Sequence, residues 1–416
     1  MRAGPTRAGA GGRLMGYTLI PLDLLQLGKP LPVDVRTPDG RLLMRKGLCI
    51  TTEQQKEMLA AHKASMARSD AMAWRKSYER MIRAMFRDGM DMQIITLAPM
   101  PSEIRESDYV QGREVLGGWL DLLEILRGLL YQGKAAISPL ERLETVENKA
   151  LELLQKDPDQ CLFVLFQALA DTSLGYCATN ALLVGVVCHL TAQKMALPEH
   201  AKQALFRAAL TMNIGMARDQ DSLARQSSML VEAQRKLIHD HPQHSHDILQ
   251  GFGVANEDQL DIVRWHHEHD ETCGQARNLV PRRILRLADT FVAKMAARKT
   301  RLAMSPLGAA HSLFTGATQE TASLSSAMTT VTGFYPPGTY VQLINGEKAV
   351  AVARGPKANQ PHVLSIVNAG GMPLSQYIYH DTADPHFAIR APLNAEKVKV
   401  KVSLEKVLKL RPGPKD

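Results

Sequence analysis

The chain has 416 residues, 45% hydrophobic and 22% charged, an ordinary balance for a soluble globular protein with room for two or three domains. Its net charge is +8, and with no concentrated Lys/Arg run it lacks the signature of a nucleic-acid arm, so a nucleic-acid partner is not expected. The longest apolar runs, CLFVLFQALA (161–170) and ALLVGVVCHL (181–190), fall far short of the ~20 residues a bilayer span needs. The five scattered cysteines form no CxxC pair and read as reduced thiols of a cytoplasmic protein.

In chain order, residues 1–14 are small and basic with no apolar core, which reads as a disordered tail rather than a signal peptide. Residues 15–60 read as a small α+β module. PVDVRTPDGRLLMRKG places two β-like pieces around a PDG turn, and TTEQQKEMLAAH reads as a helix capped by Thr51 or Thr52. Residues 61–110 are charged and Met-rich, a helical and linker region that ends in LAPMPSEIRESDY with Pro99 and Pro101.

From 111 to 335 helix follows helix. LGGWLDLLEILRGLL, SPLERLETVENKALELLQ and PEHAKQALFRAALTMNI all carry apolar residues at three- and four-residue spacing. The texture changes after FYPPGTY (334–340). In 336–416, TYVQLINGEKAVAVARG predicts a hairpin turning at Asn345-Gly346, and HVLSIVN and KVKVKVSL are further strand candidates. The expected fold is mainly α: a helical bundle with a small β-containing module before it and a β-rich appendage after it.

WHHEHDETCGQA (265–276) raises the question of a metal. Upstream, HDHPQHSHDIL (239–249) supplies His241. Downstream, RRILRLADTF (282–291) carries a lone acid, Asp289, in an otherwise apolar and basic helical stretch. His241, His266, His267 and Asp289 are thus four candidate ligands from three segments, and imidazole with carboxylate suits one divalent Fe, Mn or Zn. The competing reading makes the histidines surface decoration or satisfied core groups, with Asp289 paired to Arg283 or Arg286 instead of a metal.

The order of these motifs resembles that of the HD-GYP family, bacterial HD-superfamily phosphodiesterases that open cyclic di-GMP. YCATN (176–180) stands at the family's Tyr-x-x-x-His and AALTMNIGM (208–216) at its Ala-Ala-Leu-Leu-His-Asp-Ile-Gly-Lys. DHPQHSHDIL stands at His-Pro-x-x-Gly-x-x-Ile-Leu, and WHHEHDETCGQA at His-His-Glu-Arg-x-Asp-Gly-x-Gly-Tyr-Pro. RILRLADTFVAKMAARKTR (283–301) stands at the Asp-x-Phe-Asp-Ala and Arg-x-x-Arg segment. The resemblance covers about 160 to 350 and implies a helical HD domain, with a cyclic dinucleotide or a signalling protein as partner. Exposed apolar stripes on such domains are compatible with a homodimer.

In the family one metal is held by the first His, the His of His-Asp and the late Asp. The second is held by the His-Pro histidine and the His-His pair, with the Asp of His-Asp bridging. Carried over, the second-site histidines are His241, His266 and His267, and the late Asp is Asp289. The first His is Asn180, the His-Asp pair is Met212-Asn213, and the phosphate-binding Lys is Met216. Arg298 and Arg301 stand where the family presents cations to ligand phosphates, though the same two residues also read as a solvated helix face. Asn213 is neutral and Met212 a soft thioether, neither suited to a pair of hard cations. Three readings follow. The first is a degenerate signalling protein that binds cyclic di-GMP or a protein partner with hydrolysis lost or strongly reduced. The second is a phosphohydrolase on an altered single-metal site, and the third a non-catalytic HD-related interaction module.

Overall fold

The computed structural model describes residues 17–39, 41–88, 90–91, 94, 98–104, 118–136, 138–171, 174–268, 272–296 and 303–413. The tail at 1–14 therefore lies outside the described residues, as do Arg298 and Arg301. The chain forms two compact units, one ending at Val115 and one running from Leu116 to Asp416.

In the first unit β1 (Tyr17–Leu19), β2 (Val35–Arg36), β3 (Leu42–Met44) and β4 (Ser65–Ala67) form an antiparallel sheet in the order β1-β4-β2-β3. The two pieces around PDG pair as β2 and β3. Helix α1 (Glu53–Ala61) is capped by Thr52, whose side chain accepts from the Gln55 amide; of the two candidate caps, the threonine next to the first helical turn takes the role. Helix α2 (Arg68–Arg87) supplies Trp74, which is fully buried and donates its indole N–H to the Pro101 carbonyl at 2.7 Å.

The second unit is built on α3 (Trp119–Gln132), α4 (Pro139–Lys156), α5 (Pro158–Ala170), α6 (Tyr176–Lys194), α7 (Glu199–Thr211), α8 (Ala217–Arg225), α9 (Glu232–Gly251), α10 (Glu257–Trp265), α11 (Leu279–Met295), α12 (Pro306–Ser312) and α13 (Gln319–Thr332). Helix α6 is the axis of the bundle. It is apolar all round and buried from Cys177 to Val187 without a break, as a helix enclosed by others must be. Helices α3, α5, α7, α11 and α13 pack around it. No helix of the described residues is long and apolar enough to cross a membrane.

The C-terminal sheet is antiparallel throughout, in the order β8-β7-β6-β5-β9. Its strands are β5 (Tyr340–Leu343), β6 (Lys348–Ala353), β7 (His362–Val367), β8 (Pro373–Asp381) and β9 (Ile389–Leu393). β5 and β6 are the hairpin predicted around Asn345-Gly346. Phe163 of α5 packs into the sheet's core with Tyr340, Val350, Val352 and Leu364. Polar ties fix the same seam: the Arg354 guanidinium meets Asp159 at 2.5 Å, and Tyr340 donates its hydroxyl to Gln167 at 3.1 Å.

KVKVKVSL departs from expectation, since no ladder forms there among the described residues. Its alternation is real, with Val398, Val400 and Val402 half-buried against the sheet's core and Lys397, Lys399 and Lys401 exposed. One face is buried without a neighbouring strand to pair with, and the chain turns into α14 (Leu404–Leu410), capped by Ser403. The Arg411 guanidinium just beyond α14 is buried in an ion pair with Asp157, the residue whose carboxylate also caps α5 by accepting from the Gln160 amide.

Candidate metal centre

His241, His266 and His267 come together from two different helices, and their nearest ring nitrogens all lie within 4.8 Å of one another. The ring centroids of His266 and His267 are 4.1 Å apart, and His241 stands 5.2 Å and 5.1 Å from the two. This is the one such gathering of His, Cys, Asp or Glu among the described residues.

The backbone aims two of these rings. Pro242 sits inside α9 and has no N–H to give the carbonyl four residues back, so the Ile238 carbonyl is free of its helical partner. His241 Nδ1 takes that acceptor at 2.6 Å. His266 follows the last turn of α10, where carbonyls lack intrahelical donors, and its Nδ1 bonds the Val263 carbonyl at 2.7 Å. With Nδ1 donating, each ring is held in the tautomer whose Nε2 carries a lone pair.

Both Nε2 atoms are buried with no hydrogen-bond partner. A buried acceptor left unmade costs about 1–3 kcal/mol, so two side by side need an explanation. Burial first, and then the charge of the neighbouring His267, pushes His241 down to about 4, and burial holds His266 well below the ordinary histidine range. At neutral pH both rings are uncharged, the form that ligates a metal. The donor set fits one divalent ion with open positions.

The positions of the family's other metal are arranged differently. Asp289 of α11 is not gathered with the histidines. It accepts a hydrogen bond from the Asn180 amide nitrogen at 3.0 Å, and the Asn180 carbonyl in turn accepts from the Tyr176 hydroxyl at 3.2 Å. Both ends of the amide are thus occupied by protein. Arg283 and Arg286, the alternative partners for Asp289, bond Glu320 and the Glu268 carbonyl. Met212 and Asn213 are buried and lead into the turn Ile214–Met216, where Gly215 donates its N–H to Ser245 Oγ at 3.0 Å. A Cβ on Gly215 would come within 2.9 Å of the Ser245 nitrogen, so only glycine lets this turn lie against α9 one turn beyond His241.

Two supporting groups have no counterpart in the sequence reading. Asp221 of α8 is buried and places its carboxylate at the start of α6. There it accepts from the Cys177 amide at 2.7 Å and from the Tyr131 hydroxyl, and it fixes the turn that carries Tyr176 and Asn180. A carboxylate at a helix N-terminus is favourable. Burial, and then the Asp221 carboxylate, raises both the Tyr131 hydroxyl and the Cys177 thiol far above their ordinary values, so both stay protonated at neutral pH. On the other side, Asp261 accepts from the Gln275 amide at 2.9 Å and from Asn278 at 2.9 Å, shaping the segment after the His-His pair.

Residues 164–320 match the family model of the HD domain, and this stretch contains the three clustered histidines together with Asn180, Met212, Asn213 and Asp289. The segment is an HD domain, in keeping with the resemblance of its motif order to the HD superfamily. Among solved structures, Bd1817, described as an HDG"Y"P protein from Bdellovibrio bacteriovorus, is similar at 14% identity, with 74% of this chain and 98% of that chain covered and a TM-score of 0.38; a likeness this distant carries no argument about the present site. No curated protein matches.

Proposed function

We propose that this chain is a degenerate HD-GYP-type signalling protein that binds cyclic di-GMP without appreciable hydrolysis and holds one divalent ion, Fe, Mn or Zn, on His241, His266 and His267. The observation that carries this reading is the contrast between the two halves of the pocket. The histidine half presents two buried, unpartnered Nε2 atoms, while in the other half Asn180 is bonded to Asp289 and Tyr176. Hydrolysis in the family depends on two cations tethered by a bridging carboxylate, and the residues for the second cation do not fit one: an amide stands at 180 and 213 and a thioether at 212. A single ion still supplies Lewis-acid charge toward a phosphate oxygen. Binding without turnover is what remains, with Arg298 and Arg301 as the phosphate contacts and Met216 contributing no charge.

The same Nε2 pair is the specific observation behind a second reading, a slow phosphohydrolase on the single ion. Incubating the protein with cyclic di-GMP and added Mn or Fe, beside a His266→Ala variant, separates the two. We expect calorimetric binding with no linear dinucleotide. Linear product that disappears in His266→Ala would establish the second reading instead.

A further inference from the structure

The C-terminal sheet ends in two strands, β8 and β9, that each have one neighbour. An open edge offers main-chain N–H and C=O groups to any passing strand, and proteins blunt such edges with proline, charge or a shift of register. β9 is blunted. The Leu343 N–H bonds the Glu347 carbonyl and the Ala351 N–H bonds the Thr339 carbonyl, so Thr339, Val341 and Leu343 turn their main-chain groups toward β6. Tyr340 and Gln342 then face Leu393 and Ala391 of β9, and Pro392, with no N–H to offer, stands on the outer side. The exposed Arg390 follows at a register shift.

β8 has the opposite character. The same alternation passes through the pair Val350 and Leu364 and turns Val363 and Ser365 toward His380 and Ile378. Tyr377 and Tyr379 are left with their main-chain groups pointing outward, and these find no partner among the described residues. The Ser375 carbonyl, two residues back, agrees: it takes the Lys406 ammonium of α14 at 2.8 Å. The register shift of β8 falls before Ile378, and from Ser375 to Asp381 there is no Pro, Lys or Arg. Ile378 is 45% exposed and Tyr379 40%.

We propose that β8 pairs with β8 of a second copy of this chain, antiparallel about a two-fold axis at Ile378, so that two five-stranded sheets become one. In this register Tyr377 of each copy faces Tyr379 of the other, and the four outward groups of one edge meet the four of the other. A slip of two residues either way would bring in the carbonyl of Ser375, held by Lys406, or that of Asp381, held by the Asp384 N–H. The two Ile378 residues oppose each other at the closer spacing, ~4.5 Å between Cα atoms, and the tyrosines form aromatic cross-strand pairs. Charge selects the second copy over a foreign strand. Asp381 falls opposite Ser375 of the other copy, beside that copy's Lys406, and symmetry makes the contact twice. Ser375, Tyr377, Tyr379 and Asp381 share one face, the face on which the Lys406 ammonium lies 5.3 Å from the Tyr377 ring centroid. Within one chain Asp381 has only His362 near it, at 4.0 Å, and Lys406 has no carboxylate partner among the described residues.

Sedimentation of the full-length protein, with variants of β8, tests this pairing. A wild-type dimer is expected. Tyr379→Pro removes an outward N–H and spares the ladder with β7, and should raise the dissociation constant about tenfold or more. Tyr379→Ala loses the hydroxyl contact to His362 but keeps the N–H, and should weaken the dimer less. Asp381→Lys should also weaken it, and Asp381→Lys with Lys406→Asp should restore it. Ile378→Cys gives a readout that stands even where Tyr379→Pro fails to fold: a Cα separation of ~4.5 Å is within disulfide reach, ~4.4–6.8 Å, so mild oxidation should link two chains at this position. A wild type that stays monomeric at every concentration overturns the proposal, even if it binds a foreign strand peptide. So does a dimer that Tyr379→Pro weakens no more than Tyr379→Ala, or an Ile378→Cys chain that links no faster than wild type.

Discussion

Pro242 carries more of this site than its side chain suggests. By withholding an N–H it leaves the Ile238 carbonyl to His241, so part of the cost of a mid-helix proline, about 3 kcal/mol, is turned into orientation of an imidazole. Pro242→Ala is expected to raise the melting temperature, because the helix regains its hydrogen bond. It is expected to weaken metal binding by about ten- to a hundredfold, the usual effect of losing an orienting partner. A zinc or cobalt titration beside a thermal melt reads both, and unchanged affinity would mean that the carbonyl does not aim the ring. Gly274 makes the complementary case. It has φ of +67° and an added Cβ would lie 2.6 Å from Asp261 Oδ1. Gly274→Ala should cost at least ~1–3 kcal/mol of stability from backbone strain alone, measurable by urea denaturation, since the clash falls on the carboxylate that holds Gln275 and Asn278.

Among the elements, the C-terminal latch is the most exposed to a simple test. The Asp157–Arg411 pair is buried on both sides, with side-chain exposures of 11% and 7%, and removing one partner of a buried pair costs about 3–5 kcal/mol because the other charge stays uncompensated. Arg411→Ala should lower stability by that order in a chemical denaturation curve, and Arg411→Ala with Asp157→Ala should cost less than the sum of the two single changes. An additive result would mean that the pair is not coupled.

How far the sequence foretold these elements varies with the kind of signal. Helices with one wet face, such as α4 and α7, are plain in the three- and four-residue spacing, and the Asn345-Gly346 hairpin is plain in its turn. Helix α6 is legible only as an apolar run, because burial on every side erases the period. KVKVKVSL alternates like a strand since one face of it is buried, but alternation does not supply a partner strand. At the site, the three histidines were readable from residue type and motif order. Their aim was not, because the carbonyls of Ile238 and Val263 are backbone groups that no letter of the sequence records. Nor did any spacing reveal that Asn180 and Asp289 bond one another across 109 positions.

For the molecule as a whole, the HD domain is a helical bundle that brings His241, His266 and His267 together from separate parts of the chain and ties Asn180 to Asp289 and Tyr176 with hydrogen bonds. An ion bound to the folded state stabilises it by mass action, ~2.7 kcal/mol at a free concentration a hundredfold above Kd. A chelator should therefore lower the melting temperature of the metal-loaded protein and leave His266→Ala unmoved. The central claim is that the pocket holds one cation and not a coupled pair. Elemental analysis with electron paramagnetic resonance of the manganese-loaded protein tests it most directly. The account predicts one ion per chain with the spectrum of an isolated centre, and two ions per chain with a spin-coupled spectrum would contradict it.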